Sequence, residues 1–195
     1  MFEQVVCVEC ICMAKTELDI LRDASQRLSG AGIAFMLTGS VAMNYYAQPR
    51  MTRDIDLVVA LTPADAEAFV RLFETDYYVD RETVARAIAH KSMFNLIHLD
   101  SVIKVDCIVR KDEAFRLEEF ARRREIAVED FRTWIVSRED LILSKLAWAK
   151  DSRSEIQLKD AGNLLTADCD FEYLRSRADV LSVRGLLEEV AKRHG

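Results

Sequence analysis

Residues 36–59 read MLTGSVAMNYYAQPRMTRDIDLVV: a short apolar run, a Gly-Ser pair, a helical stretch, and then a strand that carries Asp54 and Asp56. Side chains alternate between faces along a β-strand, so Asp54 and Asp56 point one way while Ile55, Leu57 and Val59 point the other. Two carboxylates about 6 Å apart repel by roughly 2–3 kcal/mol at an effective dielectric near 20, so the pair calls for positive charge beside it. Hard oxygen ligands of this kind suit Mg²⁺, which binds through one or two carboxylates together with a substrate phosphate and keeps several waters. The competing reading is a solvated face of an edge strand, its acids balanced by Arg50, Arg53 or Lys104. For Gly39-Ser40 the plain alternative is a helix N-cap and nothing more.

Outward from that stretch, Leu18, Ile20, Leu21, Ala24 and Leu28 fall at helical spacing and predict an amphipathic helix over 16–30, ended by Gly30 and Gly32. Residues 33–37 form a short apolar run that reads as a buried strand, and Thr38-Gly39-Ser40 turns it into a helix through Tyr46. Pro49 breaks that helix; a strand over 54–60 follows, then Thr62 and Pro63 open another helix. Strands are predicted at 93–99 and 102–110 around a tight Asp100-Ser101 turn. On the second of these, Lys104, Asp106 and Ile108 share one face, which places a third carboxylate on a strand surface. After a run at 131–136 the periodicity is helical to the end, over 139–150, 154–165, 171–177 and 184–192. Ser137 and Asp140 make a variant capping box, with Asp in place of Glu or Gln. The organisation that follows is an α/β (α+β) core over 13–136 with a mixed sheet flanked by helices, a helical part over 137–195, and a loosely ordered extension over 1–12.

The chain has 195 residues, of which 50% are hydrophobic and 31% charged, enough for a real core. A net charge of −6 argues against a broad electropositive surface while leaving room for a local one. No apolar run approaches the ~20 residues needed to span a bilayer, so no membrane partner is expected. The five cysteines are odd in number and fit a reduced cytoplasm. Cys7, Cys10 and Cys12 cluster, but His90, His98 and His194 supply no matching second pair for zinc, and ordinary apolar cysteines are the plainer reading.

Gly39-Ser40, then Asp54 and Asp56, then Asp106 on a later strand, together resemble the active-site motif of the DNA polymerase β-like nucleotidyltransferases. The stretches RMTRDIDLVV and SREDLILSKLAWAKDSRSEIQLKDAGNLL narrow the resemblance to the abortive-infection, AbiEii-like toxin nucleotidyltransferases and their uncharacterised relatives, over about residues 33–165. The resemblance implies transfer of a nucleoside monophosphate from an NTP such as ATP to a hydroxyl of tRNA, protein or a small molecule. It implies two Mg²⁺ ions, with Mn²⁺ as a substitute, held by Asp54, Asp56 and Asp106. Gly39, Ser40, Arg53 and Lys145 would bind the nucleotide, with Asp160 orienting the lysine or the acceptor. A separate antitoxin protein is the implied partner. The chain is shorter and more acidic than the toxin members, which bears on tRNA as acceptor more than on the catalytic set. The alternative is a catalytically silent nucleotide-binding or partner-binding module of the same fold.

Plainer readings accompany the remaining candidates. Lys145, Lys159 and Asp160 are equally at home on a solvated helix face. Arg122, Arg123 and Arg124 read first as a solvated charge run and second as an acceptor or phosphate contact. Trp134 and Trp148 read as core or interface residues rather than base-stacking platforms.

Overall fold

The computed structural model describes residues 15–47, 49, 54–152 and 154–194. The expectations for Arg50, Arg53, Cys7, Cys10 and Cys12 and for an extension over 1–12 lie outside these residues. The elements in chain order are α1 (Glu17–Gly30), β1 (Phe35–Thr38), α2 (Gly39–Tyr46), β2 (Asp54–Val59), a 3₁₀ turn (Pro63–Asp65), α3 (Ala66–Phe73), β3 (Tyr77–Tyr78), α4 (Arg81–His90), β4 (Met93–His98), β5 (Lys104–Val109), α5 (Ala114–Ala121), β6 (Arg124–Val128), β7 (Phe131–Ile135), α6 (Arg138–Ser152), α7 (Glu155–Leu164), α8 (Phe171–Val180) and α9 (Arg184–His194).

The strands form one seven-stranded mixed sheet in the order β3-β4-β5-β2-β1-β7-β6. β2 runs antiparallel to β1 and parallel to β5, so it lies inside the sheet and not at an edge. That position removes the edge-strand part of the alternative reading, while Asp54 remains exposed and is met by Lys104. Ile55, Leu57 and Val59 are fully buried, and Val105, Cys107 and Val109 beside them extend the same apolar face. Phe94 and Leu96 of β4 lie opposite Cys107 and Val105 and continue that face toward the β3 edge. At the other side Thr133 of β7 meets α1 through a buried 2.9 Å hydroxyl contact with Ser25.

The opposite face of the sheet carries the polar side chains, and on it the register decides what meets what. Asp56 is directly opposite Asp106, Asp54 opposite Lys104, Val58 opposite Ile108, and Asn95 opposite Asp106 from the other side. α2 packs on this part of β1 and β2, and α6 packs on α2. α6 is in turn backed by α7, α8 and α9. Asp140, fully buried at the start of α6, ties these helices together. It accepts from Arg122 at 3.0 Å, Ser137 at 2.6 Å and the Tyr173 hydroxyl at 2.6 Å. Such a carboxylate is tolerated inside because charged and hydroxyl donors both reach it.

Several elements differ from the sequence reading. α4, α5, β3 and β6 were not anticipated; β3 has only two residues, and β6 pairs only with β7 at the sheet's far edge, so both are held by pairing rather than by a strong local pattern. The helix after Thr62 begins as a 3₁₀ turn before α3. The Arg122–Arg124 run lies at the surface, with Arg122 and Arg124 exposed, but each arginine has a protein partner. Arg122 binds Asp140 and lies 3.8 Å from the Tyr173 ring, Arg123 stacks on Phe120 and Trp134, and Arg124 donates to the Tyr46 hydroxyl. Free Cys107 and Cys169 are buried, as small apolar side chains usually are.

Candidate active site

A cavity of about 910 Å³ opens between the polar face of the sheet and helices α5, α6 and α7. Its floor is Asp54, Asp56 and Val58 of β2 beside Asp106 and Ile108 of β5. Its walls include Gly39, Ser40, Lys145 and Trp148. The candidate residues Gly39, Ser40, Asp54, Asp56, Asp106 and Lys145 therefore share one cavity, and Asp160 reaches it through its ion pair with Lys145.

The strand-to-helix junction sets the first part of this geometry. Thr38 is extended and Gly39 has φ +66°, so the chain passes from β1 into α2 without an intervening loop. A Cβ on Gly39 would lie 2.0 Å from Asp56 Oδ2 and 2.6 Å from its Cγ. Only glycine satisfies both the left-handed backbone and the carboxylate packed against it. The next residue, Ser40, donates its backbone N–H to Asp56. Here the first turn of α2 serves the carboxylate directly, beyond capping a helix.

Burial pushes the Asp56 carboxyl up to about 6, and the Asp106 charge across the strand pair adds to the shift. The Ser40 N–H, and at longer range the Lys145 ammonium, oppose it. With neighbouring strands about 4.8 Å apart, two ionised carboxylates in register repel by roughly 3 kcal/mol at an effective dielectric near 20. Asp106 is 7% exposed. It is held by Lys104 Nζ at 3.1 Å and, with the Asn95 carboxamide oriented to satisfy both ends, by Asn95 at 2.9 Å. Lys104 also reaches Asp54, at the exposed rim, at 3.6 Å.

The donor set can be tested against a divalent cation on this geometry. Asp56 and Asp106 are paired across parallel strands, all-oxygen and mutually repulsive, which are the properties of a hard-cation site. Among the described residues no three His, Cys, Asp or Glu side chains are gathered as a metal-binding group; Lys104 stands between Asp54 and Asp106 and supplies the positive charge there. The pair Asp56 and Asp106 has the donor chemistry that suits such a cation, whereas Asp54 is set apart at the rim and ion-paired with Lys104.

Lys145 and Asp160 are not on a solvated helix face. Both are at most 5% exposed, and Lys145 Nζ donates to Asp160 at 2.8 Å and to Gln157 at 3.3 Å. A buried pair of this kind is strongly destabilising to break from one side. Lys145→Met is therefore expected to cost about 3–5 kcal/mol and to lower the melting temperature by roughly 10 °C, measured by thermal and urea denaturation.

Arg116, Glu119 and Ser144 of the cavity are not among the residues singled out from the sequence. Arg116, Glu119 and Ser144 form a closed triad: Arg116 donates to Glu119 at 2.9 Å, and the Ser144 hydroxyl donates to Glu119 at 2.6 Å. Burial holds the Glu119 carboxyl above its ordinary range despite the Arg116 charge. Trp148, read as a core or interface residue, is 65% exposed and lines the cavity; this corrects that expectation. The signal for Ser144 and Trp148 was present, because Leu141, Ser144, Lys145 and Trp148 fall at i, i+3, i+4 and i+7 of one helix face. Arg116 and Glu119 had no such signal once α5 went unread.

The family described as "Nucleotidyl transferase AbiEii toxin, Type IV TA system" matches residues 20–161, a span that contains every one of these cavity side chains. The chain belongs to this family. No protein of curated function matches this AbiEii-family chain in sequence. Its fold is that of solved nucleotidyltransferases at low identity. An antigenic nucleotidyltransferase-like protein from Paracoccidioides brasiliensis superposes with TM-score 0.56 at 15% identity, covering 90% of this chain and 92% of that one. The lincosamide antibiotic adenylyltransferase LnuA, in its lincomycin-bound form, gives 0.50 at 15% identity, covering 76% of this chain and 94% of that one. A putative nucleotidyltransferase from Thermotoga maritima gives 0.50 at 17% identity, with 73% and 90% covered. These likenesses establish the polymerase β-like fold that the resemblance implied. Among the described residues no helix is long and apolar enough to cross a membrane.

Proposed function

We propose that this AbiEii-family protein is a divalent-metal-dependent nucleotidyltransferase that moves a nucleoside monophosphate from an NTP to a hydroxyl acceptor. The observation that carries this reading is the in-register pairing of Asp56 with Asp106 in a cavity also lined by Gly39, Ser40 and Lys145. In the reaction the acceptor oxygen forms a bond to the α-phosphorus, the bond from that phosphorus to the bridging oxygen breaks, and pyrophosphate leaves with the electron pair. Such a transfer needs positioning and charge stabilisation rather than covalent participation by the protein.

Each part of the site has a task in that scheme. Lys145, fixed by Asp160 and Gln157, places a point charge against the β- and γ-phosphates. Gly39 lets the Asp56 carboxylate pack against the β1–α2 junction and Ser40 N–H fixes it there, so that the positive end of α2 faces the triphosphate beside that carboxylate. Asp106, held on both sides by Lys104 and Asn95, holds the proton given up by the acceptor hydroxyl. Asp54, Asp56 and Asp106 would hold Mg²⁺, one ion or two, which when bound supplies Lewis-acid stabilisation of the phosphoryl oxygens. Arg53 belongs to this proposal on its sequence position beside Asp54.

For the acceptor, tRNA, a protein side chain and a small molecule all present the required hydroxyl. The family description names a toxin-antitoxin system, so a separately encoded antitoxin is the proposed partner. The test is incubation with each labelled NTP and Mg²⁺ against total RNA, total protein and a panel of antibiotics. Label should move to one acceptor class in the presence of Mg²⁺ and stay on the nucleotide in EDTA. Nucleotide binding with no transfer to any of them would replace the enzyme reading with the silent binding module.

A further inference from the structure

The exposed tryptophan in the cavity has no part in the scheme above. Trp148 is 65% exposed, whereas the chain's other tryptophan, Trp134, packs on the core and under Arg123 at 4.9 Å. A large aromatic left in water inside a cavity is a feature of ligand sites rather than of packing.

Its position relative to Lys145 indicates which ligand. Trp148 follows Lys145 by three residues on α6, so the two lie on one helix face with an axial rise of about 4.5 Å between them. A molecule whose phosphates rest on Lys145 and which extends along α6 passes the indole next. The floor also has an apolar step. Beyond Asp56 and Asp106, the next side chains on the same strand faces are Val58 and Ile108, paired with each other and lining the cavity, about 6.6 Å further along. Ile156 of α7, 63% exposed, is a further apolar side chain lining the cavity. The cavity thus carries an apolar step at Val58 and Ile108, with the indole of Trp148 in its wall, between the Asp56 and Asp106 carboxylates on one side and Arg110 and Lys111 on the other.

We propose that Trp148 is the platform on which the base of the nucleoside triphosphate stacks, with Val58 and Ile108 forming the apolar floor of the base site. This placement rests on the nucleotidyl-transfer reading and adds to it the residue that holds the base. Stacking on an indole is open to every base because each has a π-face. Base preference at this position is therefore graded by ring size, purines binding more tightly than pyrimidines. An acceptor stacked on the same indole is the competing occupant, and it is less favoured because Trp148 shares its helix face with the phosphate-binding lysine.

The test uses the full chain, calorimetric binding with Mg²⁺, and two probes, ATP and inorganic tripolyphosphate. Trp148→Ala should weaken ATP about tenfold or more and leave tripolyphosphate unchanged, and Trp148→Phe should recover most of the loss. ATP and UTP, separated in affinity by the parent, should converge in Trp148→Ala. Equal ATP affinity in the parent and Trp148→Ala would overturn the placement alone, as would equal weakening of ATP and tripolyphosphate. A loss seen only in acceptor KM, with ATP binding intact, would assign the indole to the acceptor instead. Absence of ATP and tripolyphosphate binding by the parent would overturn the function proposal itself, and this placement with it. Because Trp148 is exposed, its truncation is not expected to move the melting temperature, which serves as the control for folding.

Discussion

Asp56→Asn is expected to reduce nucleotidyl transfer by about 10²–10³-fold or more while making the fold more stable in divalent-free buffer. Both effects come from the same crowding. Asp56 lies opposite Asp106 and is mostly buried, and its carboxyl is pushed up to about 6 from an ordinary 3.8. An acid raised in the folded state opposes folding once it is forced to ionise. The penalty is absent below about pH 4, grows as pH rises between about 4 and 6, and is complete above that, at about 3 kcal/mol for a shift of roughly two units. Asparagine keeps the shape and an oxygen for the Ser40 N–H but removes the charge. The variant should therefore melt about 5–10 °C higher than the parent at pH 7.5 and no higher at pH 4. Added Mg²⁺ should narrow the gap by stabilising only the parent, since a ligand that binds the folded state raises its stability by mass action. The parent's apparent Mg²⁺ affinity should fall below about pH 6, where protons compete for the same carboxylate. Melting curves across pH with and without Mg²⁺ measure all of this. An Asp56→Asn protein no more stable than the parent at neutral pH would mean the two acids do not share one buried space.

Gly39→Ala carries the second large effect, and its sign is opposite for stability. The added methyl would occupy the space of the Asp56 carboxylate, at 2.0 Å from Oδ2 and 2.9 Å from Cβ. The strand backbone carrying Asp56 is fixed by pairing on both sides, so the carboxylate must rotate away or α2 must shift. Alanine also has to adopt φ +66°, which alone costs about 1–2 kcal/mol. The expected result is a fold weakened by about 2–4 kcal/mol and transfer reduced by at least ~100-fold, because the displaced carboxylate is one the proposed reaction depends on. The double variant Gly39→Ala with Asp56→Gly should recover the steric part of the loss, since it returns the space to the methyl, while keeping the cost of alanine at φ +66° and recovering no activity. Denaturation and transfer assays on the three proteins separate the steric effect from the catalytic one.

The two variants together show why this site is expensive to the fold. Asp56 and Asp106 repel, Lys104 offsets part of that for Asp106 and Asp54, and Lys145 is committed to Asp160. An arrangement of like charges in a partly buried cavity persists when function needs it and stability does not.

The sequence by itself determined the local parts of this architecture. The two-residue period of strands placed Asp54 and Asp56 on one face, and Lys104, Asp106 and Ile108 on one face, before any tertiary contact was known. The Gly39-Ser40 junction and helix α6 were legible from turn chemistry and periodicity for the same reason, since both depend on neighbours within a few residues. Tertiary structure alone decided what those faces meet. Parallel pairing of β2 with β5 across some fifty residues of chain put Asp106 opposite Asp56, and no local pattern encodes the register of such distant strands. It also buried Lys145 and Asp160, gave the surface arginines Arg122–Arg124 protein partners, and left Trp148 open to the cavity. Helix periodicity marks which residues share a face; whether that face meets core, cavity or water depends on the elements that close over it.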